Sequence, residues 1–184
     1  MKEILVVDCQ YDFIDGSLAC GHSEEAVKNI VEFINANPDA KVYYSADAHS
    51  LNHCSYIQNG GTWPVHCNAG THGAEIHESF YHDVKNSSQK PNDANIYYKG
   101  DDDSREEYSA FNARNKAGHE LNQDIGHEVI VVGIASEFCV RESVIALLNS
   151  GRKIEVPVSM LGWVDEAGHE KNIAELSSMG VKVA

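Results

Sequence analysis

The sequence predicts an α/β fold: a doubly wound, six-stranded, mainly parallel sheet with helices on both faces, in three layers. Two observations carry this reading. The strand-like segments are short apolar runs such as ILVV at 4–7 and VIVVG at 129–133, the pattern of strands buried on both sides. Segments with apolar residues at helical spacing alternate with them, which is the rhythm of βαβ units. A third observation bears on function. Several strands end at residues able to do chemistry, and sheets of this kind bind ligands beyond the carboxyl ends of their strands.

In chain order, Ile4-Leu5-Val6-Val7 forms a first strand ending at Asp8. Ser23 reads as a helix N-cap, with Glu24 and Glu25 in the first turn. Ala26, Val27, Ile30, Val31 and Ile34 then recur on one helix face until Pro38. Lys41 to Ser45 is the second strand, ending at Asp47. Residues 48–94 are rich in Gly, Asn, His and Ser, and a loop insertion this long is usually functional or disordered. Asn95 to Tyr98 is the third strand, ending at Lys99; an acidic patch (Asp101 to Glu107) and a weakly helical stretch (Asn112 to Asp124) follow. Glu128 to Ala135 is the fourth and most apolar strand. With Ser136 as N-cap, the next helix carries Val140, Val144, Leu147 and Leu148 on one face and stops at Gly151. Lys153 to Val158 is a fifth strand. A helix from Ala167 to Met179, capped by Gly180, leads to a sixth at Val181 to Val183. No repeat or linker interrupts residues 1–184, which read as a single domain.

The chain has 184 residues, enough for one domain with a core of its own. Net charge is −14, from 14 Lys and Arg against 28 Asp and Glu. That is opposite to the basic footprint required by nucleic acid or by an anionic membrane surface. No apolar stretch approaches membrane-spanning length, and no signal-peptide pattern opens the sequence. Five cysteines, an odd count in a chain too large to need a disulfide scaffold, read as reduced thiols in the cytoplasm.

Asp8, Asp47 with His49, Lys99 and Cys139 are all expected on one rim of the sheet. Singly, each reads as an ordinary strand-end residue, and a free cysteine is most often buried filler. Together they supply an acid, a cation, a thiol and a carboxylate–imidazole pair. Cys139 falls in a first helical turn, where unpaired N–H groups and the positive helix end favour a thiolate and can bind an oxyanion. Asp8 can take the thiol proton and return it to a leaving amine, and Lys99 would keep that carboxylate ionised. The alternative for this pair is a structural ion pair. Asp47 and His49 are two apart and point the same way on an extended segment. His53 follows four residues on, and His66 comes after Trp63-Pro64. Such donors suit zinc, and also iron or manganese. Cys54 and Cys67 each follow a histidine, so a structural Cys/His zinc site is the rival. The other histidines, His169 among them, read as solvated polar residues.

VVDCQYDF (6–13), SADAH (45–49), WPVHC (63–67), YKG (98–100), EYSAF (107–111) and VVGIASEFCV (131–140) together resemble the nicotinamidase/pyrazinamidase branch of the isochorismatase-like hydrolases, a Rossmann-like fold. The resemblance implies a catalytic triad of Asp8, Lys99 and Cys139. It implies one divalent metal on Asp47, His49 and His66, with His53 as the best candidate for a further ligand. A cis peptide is implied at Ile134-Ala135, with an oxyanion hole from the N–H groups of Ala135 and Cys139. Phe13, Trp63 and Tyr108 match the aromatic positions of the pyridine pocket. The implied activity is hydrolysis of nicotinamide, and of pyrazinamide, to the acid and ammonia through a cysteine thioester, in NAD salvage. Another cysteine amidohydrolase of the same fold, acting on a carbamoyl or ureido substrate, is one alternative. A non-catalytic metal-binding module is the other.

Overall fold

The computed structural model describes residues 3–184. Six strands form one sheet in the order β3-β2-β1-β4-β5-β6, every ladder parallel. They are β1 Glu3–Val7, β2 Lys41–Asp47, β3 Ile96–Lys99, β4 Glu128–Gly133, β5 Lys153–Val156 and β6 Lys182–Val183. Alternate residues of each inner strand feed opposite faces, so continuous apolar runs are needed. Ile4 and Val6 pack with Val42, Tyr44, Ile130 and Val132 on one face; Leu5 and Val7 pack with Tyr43, Val129 and Val131 on the other.

Helices cover both faces. The one-turn α1 (Tyr11–Ile14) and the long α2 (Ser23–Ala36) close the first, α2 through Val27, Ile30, Val31 and Ile34. The second is closed by a single-turn helix α4 (Leu121–Asp124), by α5 (Arg141–Asn149) and by α6 (Glu166–Ser178), which contribute Leu121, Val144, Leu147 and Leu176. Among the described residues no helix is long and apolar enough to cross a membrane.

Several expected boundaries move for identifiable reasons. Ser23 lies inside α2 rather than capping it: its hydroxyl donates to the carbonyls of Ile14 and Cys20, and His22 takes the cap position. Asn112 to Asp124 is mostly turns, because Tyr98 and Arg114 exchange backbone hydrogen bonds and draw the segment out beside β3. α6 starts earlier than its apolar spacing suggests, with the Asp165 carboxylate capping the Gly168 N–H at 2.8 Å. The insertion at 48–94 holds 3₁₀ turns and the single-turn α3 (Ser79–His82). Backbone bonds from His49 N–H to Cys67 and from Ala69 N–H to His49 fold it back onto the end of β2.

Candidate active site and metal centre

The sheet order reverses between β1 and β4, and the chemistry-bearing residues gather at the carboxyl ends beside that point. Asp8 follows β1 with a positive φ of 47°, and the Ser45 hydroxyl donates to its Oδ1 at 2.6 Å. Lys99 ends β3 opposite Asp47 in register and reaches back across the end of β2. Its Nζ lies 2.8 Å from Asp8 Oδ2, 2.6 Å from Asp47 Oδ1 and 3.5 Å from Cys139 Sγ. All four residues are buried. Asp8, Asp47 and Cys139 could by themselves surround a cation, but the Lys99 ammonium fills that place.

Electrostatics follow from this packing. Burial lowers the proton affinity of Lys99, but Asp47 and Asp8 outweigh it and hold the ammonium charged. Burial pushes Asp47 up, yet Lys99 and His49 prevail and keep it below the usual carboxylate range. Burial raises Asp8, against the pull of Lys99. Burial also pushes the Cys139 thiol well above its ordinary range; Lys99 opposes this, and the two carboxylates add to it. Lys99 favours the thiolate as the sequence reading expects, but burial and the two carboxylates outweigh it. Cys139 lies next to the Asp8 carboxylate, which is placed to take its proton.

Cys139 does sit at a helix start, but Ser136 is not its cap. Gly133 (φ +118°) turns the chain out of β4, where a Cβ would meet the Val7 carbonyl at 2.1 Å. A cis Ile134-Ala135 peptide follows, at the expected bond. Ser136–Val140 then forms a π-turn that runs into α5. The Ala135 carbonyl accepts from the Phe138 and Val140 N–H groups, while the Ala135 N–H finds no acceptor among the described residues. Ser143 braces the turn from beneath, its hydroxyl donating to the Cys139 carbonyl at 2.6 Å and accepting the Ala110 N–H at 2.9 Å.

Beside the triad, Asp47, His49 and His66 bring three possible ligand atoms within 4.8 Å of one another, all from buried residues. The Nδ1 of His49 faces the Gly100 carbonyl at 2.6 Å, and that of His66 faces the Pro64 carbonyl at 2.8 Å. A carbonyl can only accept, so each Nδ1 carries the proton and each Nε2 offers a lone pair. This donor set, two imidazoles whose Nε2 atoms converge and one ionised carboxylate that raises the proton affinity of His49, fits a divalent metal once Nε2 is deprotonated. His53 lies beside this group: its ring centroid is 4.0 Å from that of His49, its Nδ1 is 2.7 Å from the Ser55 hydroxyl, and its buried Nε2 has no hydrogen-bond partner among the described residues; it also groups with Cys54 and Glu106.

Three further residues fix this centre although sequence reasoning gave them no role. Gln10 clasps the Asp47 backbone, its Nε2 donating to the carbonyl and its Oε1 accepting the N–H, both at 2.8 Å. Asp12 accepts the N–H of Cys67, next to His66, at 2.7 Å. Both lie in the VDCQYDF stretch, whose polar residues were the available signal. The third is Phe138, beside Cys139. Trp63 packs edge-on to it at 5.0 Å and Tyr108 lies 5.7 Å away, while Trp63 Nε1 donates to the Tyr108 hydroxyl at 3.0 Å. Phe13 faces the His66 ring at 5.5 Å.

The isochorismatase domain model matches residues 3–184. The chain is similar to the nicotinamidase/pyrazinamidase of Mycobacterium tuberculosis, at 29% identity over 97% of this chain and 94% of that protein. Among solved structures it is similar to the pyrazinamidase of Pyrococcus horikoshii in complex with zinc (TM-score 0.83, 27% identity, 100% of this chain and 98% of that one). It is also similar to the yeast nicotinamidase bound to the inhibitor nicotinaldehyde (TM-score 0.83, 25% identity, 100% and 99%).

Proposed function

The chain belongs to the isochorismatase family, and from that premise we propose that it hydrolyses nicotinamide, and pyrazinamide with it, to the acid and ammonia. The carrying observation is the buried ammonium of Lys99, in contact at once with the Asp8 carboxylate and the Cys139 thiol, beside three convergent metal-ligand side chains. A structural ion pair would not require a thiol, and a metal-binding module would not require the Asp8–Lys99–Cys139 set. The relatives' names support the amide substrate, and the zinc of the Pyrococcus protein supports zinc over iron or manganese here. We read residues 1–184 as one domain working in the cytoplasm; the five free cysteines support that compartment.

Asp47, His49 and His66, with His53 as the candidate further ligand, would hold a divalent metal, whose chemistry would be to anchor a ring nitrogen and supply bound water. The chain's own residues perform the hydrolysis. Trp63, Phe138, Tyr108 and Phe13 enclose an aromatic ring. Asp8 accepts the proton of the Cys139 thiol, and the sulfur attacks the carboxamide carbon. Lys99 stays charged and offsets the negative charge that now moves between sulfur and oxygen. The oxyanion is met by the N–H groups of Ala135 and Cys139. Protonated Asp8 gives its proton to the departing amine, so ammonia leaves and a thioester remains. Asp8, again a carboxylate, deprotonates the incoming water. Collapse of the second tetrahedral adduct yields the acid and returns the proton to sulfur.

Ammonia release from nicotinamide, pyrazinamide and a panel of ureido and carbamoyl compounds tests this reading. Turnover of the pyridine and pyrazine carboxamides is expected, and Cys139→Ala should lower it by at least about a thousandfold with the fold retained. Turnover confined to ureido or carbamoyl compounds would favour the other amidohydrolase. Undiminished ammonia release by Cys139→Ala would remove the thioester route.

A further inference from the structure

One buried polar network outside the groups assigned so far reaches the nucleophile turn, and it comes from α6. Ser136, which opens the turn, is fully buried and held at every polar atom. Its N–H donates to the Gly162 carbonyl at 2.8 Å. Its carbonyl accepts from Asn172 Nδ2 at 2.7 Å, and its hydroxyl accepts from the same nitrogen at 3.2 Å. That leaves the hydroxyl proton for His169 Nδ1, 2.7 Å away. His169 is 6% exposed and Asn172 3%, so the expectation of a solvated His169 is overturned. Its ring is sandwiched against Trp163 at 4.5 Å.

The amide of Asn172 has one orientation. Arg141 Nη1 donates to its Oδ1 at 3.0 Å, so the nitrogen must face Ser136. A buried amide engaged at both ends is costly to rotate, because any other pose strands a donor or an acceptor. Asn172 therefore fixes the peptide between Ser136 and Glu137. The residue before that peptide presents the Ala135 N–H, and Cys139 follows in the same turn.

We propose that Asn172 is a positioning residue for the amide hydrolysis above: through the Ser136 carbonyl it holds the turn so that the Ala135 and Cys139 N–H groups stand where the oxyanion develops. The inference rests on that reading of the activity. Asn172 touches neither Cys139 nor a bound ring, so its effect belongs to the transition state and not to ground-state binding.

The isosteric Asn172→Asp keeps the acceptor for Arg141, removes the donor to Ser136 and places a carboxylate oxygen against the Ser136 carbonyl. Expected is a fall in kcat of about ten- to hundredfold at unchanged KM for nicotinamide, the range of a displaced oxyanion donor. Nicotinaldehyde, whose thiohemiacetal with Cys139 carries the same oxygen, should lose affinity by the same factor. Nicotinate, which forms no adduct, should bind within about twofold of wild type. Asn172→Ala removes the donor to the Ser136 carbonyl without adding a charge and should show the same split. It decides the matter if Asn172→Asp does not fold. Unchanged kcat and aldehyde affinity in a folded variant overturn the proposal. So does parallel loss of kcat, nicotinate binding and melting temperature, which would mark a merely structural role. Inactive wild-type protein would instead strike the amidase reading itself.

Discussion

Gly100 shows how much one residue can decide. Its φ is +73°, a conformation that suits glycine, and its carbonyl accepts the Nδ1–H of His49 at 2.6 Å. A Cβ at this position would lie 2.4 Å from His49 Cε1 and 2.7 Å from Nδ1. The glycine thus sets both the tautomer and the place of a metal-ligand ring, from the residue directly after Lys99. Gly100→Ala should push the ring aside and weaken metal affinity by about ten- to hundredfold, the usual cost of a lost outer-shell partner. Competition against a chromophoric chelator measures this, and affinity equal to wild type would show that the ring needs no such support. At this scale the site was partly legible. Asp8, Lys99, Cys139, Asp47, His49 and His66 could be picked out because each is a chemistry-bearing residue at a strand end or in a quoted motif. Gly100 stood in the same YKG motif, but its part depends on a backbone angle that composition does not reveal. His53 was legible only as the nearest histidine for the further ligand the resemblance implies, and its ring lies 4.0 Å from that of His49 with a buried, unpartnered Nε2.

Elements were legible in proportion to their burial. β1 and β4 bury residues on both faces, so their apolar runs have no competing explanation, and their ends fell within two residues of expectation. α2 shows its buried stripe at clean helical spacing. Short elements fared worse, because α3 and α4 are single turns held by contacts distant in sequence. The nucleophile turn differed most. A serine before an apolar helix normally reads as an N-cap, yet the Ser136 hydroxyl is used by α6, and the turn closes as a π-turn. The true cap was missed one element later, at Asp165, because the apolar stripe of α6 begins beyond it. Asp165→Ala should cost about 1 kcal/mol, the worth of a side-chain cap. For a chain of this length that lowers the melting temperature by about 2–4 °C. Calorimetry showing no shift would mean that water replaces the cap without loss.

Across the whole molecule, function follows from strand order. Winding runs from β1 out to β3, returns past β1 to β4, and ends at β6. Asp8 and Cys139 therefore leave adjacent strands at the one place where the loops above the sheet part in opposite directions. Asp47 ends β2 while His49 and His66 belong to the insertion at 48–94, so the ligand set exists only when the sheet and the insertion are docked together. A metal bound there would act as a fastener as well as a working part. A ligand that binds only the folded state stabilises it by about 2.7 kcal/mol when present at a hundred times its dissociation constant. Removing the metal with a strong chelator should then lower the melting temperature by about 5–10 °C, given about 2–4 °C per kcal/mol at this size. Adding zinc back in excess should restore it. His66→Ala supplies the control, since a protein that has already lost the site should melt at one temperature with or without chelator. Elemental analysis before and after chelation links the shift to bound metal. If wild type and His66→Ala respond alike, the insertion is held by its hydrogen bonds alone, and the three ligands contribute nothing to keeping the two parts together.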